Sequence, residues 1–89
     1  MGSISRDEAR KWSRDRIREQ IAQLRAYIGE DRDEIGELKE RISDLENNPQ
    51  YAMSRSRDDR IDAAWDAISE ANKRIDQANS DIEFLMTLL

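Results

Sequence analysis

A chain of 89 residues, 37% hydrophobic and 39% charged, has room for one small domain and cannot enclose a large core. It contains no cysteine and no histidine, which excludes disulfides, thiolate chemistry, zinc sites built on those ligands and imidazole acid–base catalysis. A net charge of −5 argues against a general nucleic-acid binder, and no run of about 18 apolar residues is present to cross a membrane, so a cytoplasmic protein is expected.

The first helix is expected over about residues 6–46. Ser5 and Glu8 have the spacing of a capping box, with Ile4 where a staple residue sits. Isoleucine then recurs every seven residues at Ile21, Ile28, Ile35 and Ile42. That period holds one apolar face towards a partner helix over many turns. Asn47, Asn48 and Pro49 end the helix, because the residue before proline disfavours helical geometry. The connection is expected over about 47–55, with a helical turn after Pro49 as an alternative to a loop. Ser54 or Ser56 is expected to cap the second helix, over about 56–88. Its own seven-residue run is Ile61, Ile68, Ile75 and Ile82.

With these isoleucines at heptad position a, position d of the first helix holds Ile17, Leu24, Asp31, Leu38 and Leu45. Position d of the second holds Ala64, Ala71, Ala78 and Leu85. Large residues on one helix and small ones on the other favour pairing the two unlike helices, since the layers then interlock at constant volume. The fold class expected is all-α: an antiparallel helical hairpin, coiled-coil-like, self-associating into a bundle. The preferred register sets Ile42 against Ala64, Ile28 against Ala78 and Asp31 against Ile75. The competing architecture is a parallel dimer through the first helix, which Ile at a with Leu at d also suits.

Several residues break the pattern. Asp31 stands in the seam and is expected to form a polar layer with Asn72 and Asn79, with Arg74 nearby, because an unpaired buried carboxylate is costly. Ala22, Gly29, Gly36 and Ser43 repeat small residues by seven and point to a second interface, used for self-association between hairpins. Arg18, Arg25, Arg32 and Lys39 form a cationic heptad stripe, expected to meet acids across the helix pair. The C-terminal segment carries more apolar groups than one seam uses. Phe84, Met86 and Leu88, with Arg10, Trp12 and Arg14 at the other terminus, are the candidate partner-binding residues.

No catalytic, cofactor or metal site is found. The acid pairs lack the Glu-x-x-His of di-iron bundles, the calcium-loop spacing is absent, and no glycine loop cradles a phosphate. A non-enzymatic protein–protein interaction module is expected, a small acidic hairpin that blocks or organises a macromolecular partner, as inhibitors and assembly factors of phages and mobile elements do. A homodimer is the favoured oligomer. Two alternatives remain. Residues 1–25 hold seven basic groups against four acids, so the start could follow phosphates as a nucleic-acid-binding accessory; or the chain is a purely structural oligomeric coiled coil.

Overall fold

The computed structural model describes residues 5–51 and 55–89. Three helices follow in order: α1 (Arg6–Ala9), α2 (Arg14–Asn47) and α3 (Arg55–Thr87), with a 3-10 turn at Pro49–Tyr51 between the last two. Helices α2 and α3 pack along their length as an extended antiparallel hairpin measuring 58 × 17 × 15 Å.

The seam uses the heptad positions. Ile17, Ile21, Ile28, Ile42 and Leu45 of α2 are buried, as are Ala64, Ile68, Ala71, Ile75, Ala78, Ile82 and Leu85 of α3. All but Leu45 and Ala71 divide into two clusters. The larger holds Ile17, Ile21 and Ile28 with Ile75, Ala78, Ile82 and Leu85, and the smaller holds Ile42 with Ala64 and Ile68. Ile35, half-buried, packs against both. An Arg74 to Asp31 contact at 3.1 Å agrees with the register that sets Asp31 level with Ile75.

The start of the chain corrects the expectation of one unbroken helix over 6–46. Helix stops at Ala9 and resumes at Arg14, with Ser13 extended at φ −66° and ψ 159°. Ser13, not Ser5, supplies the side-chain cap: its Oγ accepts from the Arg16 backbone N–H at 3.2 Å, whereas Ser5 makes no such bond. The break has a packing cause. Ile17 lies level with the end of α3, so a straight extension would have no partner. The turn instead folds α1 onto the open end of the hairpin. There Ala9 is fully buried, and Trp12, Phe84 and Leu88 pack against the same cluster. Stacking helps to hold the turn: the Arg6 guanidinium lies 4.8 Å from the centre of the Phe84 ring, and that of Arg16 lies 4.6 Å from Trp12.

At the other end α2 closes on Asn48, extended at ψ 118° ahead of Pro49. The Asn48 side-chain oxygen accepts from the Gln50 N–H at 3.0 Å, an Asx turn that aims the chain into the 3-10 turn. Helix α3 already includes Arg55, so Ser56 lies inside it and is not its cap. Ile4 and Ser54 lie outside the described residues.

Candidate interaction surfaces

The hairpin has two flanks, one on either side of the seam. One flank is a half-open groove of about 390 Å³ lined by Gln20, Gln23, Tyr27, Asp31, Arg74 and Asp81, among others. At its mouth the Arg74 guanidinium donates to Asp31 at 3.1 Å and to Glu34 at 3.0 Å. Among the described residues this is the one salt-bridge node that joins α2 to α3. The Asp31 bond, aided by the charge of Glu34, holds the Arg74 pKa above its ordinary value, against a smaller opposing effect of desolvation. Asp81, buried beside the seam, accepts from the Gln77 amide at 3.1 Å. Across the groove the Gln23 amide donates to the Tyr27 hydroxyl at 2.8 Å.

This geometry revises the polar layer. Asp31 is half-buried and is satisfied by Arg74, while Asn72 and Asn79 are exposed and take no part. The reason is positional. Position d borders position g on the helix surface, so Asp31 leans to the flank where Arg74 lies at g. Asn72 and Asn79 occupy e, on the opposite flank. Sequence reasoning placed Arg74 only nearby and passed over Gln77 and Asp81. The signal available was that Arg74 and Asp81, with Arg60, are the charged g positions of α3.

The other flank carries Trp65, 50% exposed above a shallow dent lined by Lys39, Ile42, Ser43 and Glu46. Heptad position places Arg18, Arg25 and Arg32 on this side with Lys39. The expected pairing of that stripe with acids across the seam is not what the structure has. Arg18 reaches Asp15 of its own helix at 3.8 Å, and Arg25, Arg32 and Lys39 form no ion pair among the described residues. The cause lies in α3, whose e positions opposite them are Trp65, Asn72, Asn79 and Met86, all uncharged. Ala22, Gly29, Gly36 and Ser43 run alongside and are exposed. A Cβ built on Gly29 or Gly36 would meet nothing within 4 Å, so no backbone of the same chain approaches them. The Ser43 hydroxyl accepts from the Asn47 amide at 3.1 Å.

The six candidate partner-binding residues separate into two groups. Trp12, Phe84 and Leu88 are half-buried in the end cluster beneath α1. Arg10, Arg14 and Met86 face outward, Arg10 with Asp7 at 3.5 Å and Met86 47% exposed. Leu89, 44% exposed, lies at the same end. Among the described residues no group of three or more acidic side chains could hold a metal ion, and no helix is long and apolar enough to cross a membrane. Comparison of the chain with protein-family models, curated proteins and solved structures finds no match.

Proposed function

We propose that this chain is a non-enzymatic protein-binding hairpin, which works by occupying or organising the surface of a protein partner, a second copy of itself included. One observation carries the reading. The seam is satisfied within the chain, yet Trp65, Met86 and Leu89 and the free cations Arg25, Arg32 and Lys39 are left on an extended rod without partners among the described residues. Exposed aromatic, methionine and arginine side chains are the groups that anchor protein interfaces. The outward pair at the open end, Arg10 and Arg14, is where a foreign partner would dock.

The test is capture by the immobilised chain from lysate of the source cell, compared with an Arg10→Ala/Arg14→Ala variant. A protein retained by the natural chain and released by the variant is the expected result. Equal retention, or none, counts against a foreign partner docked at Arg10 and Arg14.

The cationic row of α2 favours a second reading, nucleic-acid binding, because its members recur about every 10 Å along one flank. Binding to many DNA sequences that weakens steeply with salt would support it. No DNA shift at low salt removes it.

A further inference from the structure

The flank that carries Trp65 holds two rows of charge, one per helix. On α2 they are Arg25, Arg32 and Lys39. On α3, at position b beside the uncharged e row, they are Asp62, Asp76 and Glu83. All six are exposed, and none forms an ion pair among the described residues. The two rows lie on one face but on different helices, with the uncharged e row of α3 between them.

We propose that this face is closed by a second copy of the chain, related to the first by a two-fold axis parallel to the rod; the proposal rests on the protein-binding reading above. Charge selects the symmetry. A two-fold axis across the rod would lay α2 on α2, cations on cations. An axis along the rod lays α2 of each copy on α3 of the other, with Arg25 and Arg32 over acids and neighbouring helices antiparallel throughout.

The heptad register then sets the levels. Arg25 comes within two residues, about 3 Å, of the level of Glu83 in the second copy, and Arg32 equally close to that of Asp76. The same offset brings Trp65 to Ser43, Asn72 to Gly36, Asn79 to Gly29 and Met86 to Ala22. In each case a larger side chain meets a small one, so the open glycine positions give the room that close approach needs. Near the connection Glu46 comes level with Asp62, a like-charged contact. The attraction is therefore concentrated towards the open end. The broad side of the rod, 58 × 17 Å, is about 1,000 Å², which accommodates the roughly 800 Å² per partner of a standard interface.

The chain and three variants, Arg32→Glu, Asp76→Arg and the double exchange, distinguish this arrangement by sedimentation in the micromolar range, with circular dichroism as a control on helix content. Both positions are exposed and outside the seam, so folding is expected to be unaffected. The natural chain should dimerise. Each single reversal spoils two symmetry-related contacts and should weaken the dimer about tenfold. The double exchange should restore it. A monomeric natural chain overturns the proposal. So does a dimer indifferent to the single reversals, or a double exchange as weak as the singles. None of these results bears on capture of a foreign partner through Arg10 and Arg14, so the two readings fail separately.

Discussion

Asp31 shows how one residue can be both a defect in a pattern and a clasp. Its place at d interrupts the apolar seam, and Arg74 answers it from the neighbouring flank. Replacing it with leucine removes a half-buried carboxylate and continues the aliphatic layer, while Arg74 keeps its contact with Glu34. Asp31→Leu should therefore raise the melting temperature and broaden the distribution of oligomers, read together by thermal melts and sedimentation; a lower melting point with one unchanged species would contradict this. The glycines make a second residue-scale prediction. Since a Cβ at Gly29 or Gly36 meets nothing in the chain, alanine at each should stabilise the monomer by about 1 kcal/mol through helix propensity alone. Urea unfolding at a concentration low enough to keep the chain monomeric measures it.

At the scale of elements, the long helices and their antiparallel pairing were legible in the sequence because isoleucine repeats at a in both segments, with mostly large d residues in the first and mostly alanine in the second, which favours pairing the two unlike helices. The break before Arg14 was not. Lys11, Trp12 and Ser13 contain neither glycine nor proline, and Ser5 with Glu8 offered a plausible earlier cap. What decides the matter is tertiary: α3 runs out, and Ala9 and Trp12 find burial only by turning across the end. The partner of Asp31 was obscured for a similar reason, since spacing alone does not say to which flank a d side chain leans. Helix α1 has only four residues and is held by packing. Ala9→Asp, which puts a charge at a fully buried point, should release α1 and expose Phe84 and Leu88. The expected signature is a change in tryptophan emission and new binding of a hydrophobic dye, with the helix content of α2 and α3 nearly intact. Loss of most helix would show instead that the end cluster supports the whole hairpin.

As a whole, the molecule exposes 6655 Å², against about 5,400 Å² for a compact protein of 10.4 kDa. The surplus is the cost of an extended shape. Ile35 lies near the middle of α2 and touches both apolar clusters. Ile35→Asp should destabilise the fold by roughly 2–4 kcal/mol, read by chemical denaturation, since it charges the one aliphatic link between them. An unchanged midpoint would mean that the seam is carried elsewhere.

The division of the seam into a larger and a smaller cluster has a kinetic corollary. Around residues 31–35 the apolar seam thins to Ile35, the small Ala71 and an ion pair accessible to salt. Opening events can stop there. Amide protons near Ile42, Ala64 and Ile68 should exchange with solvent as one block, ahead of those near Ile21, Ile28, Ile75 and Ile82, and added salt should widen the gap between the two rates.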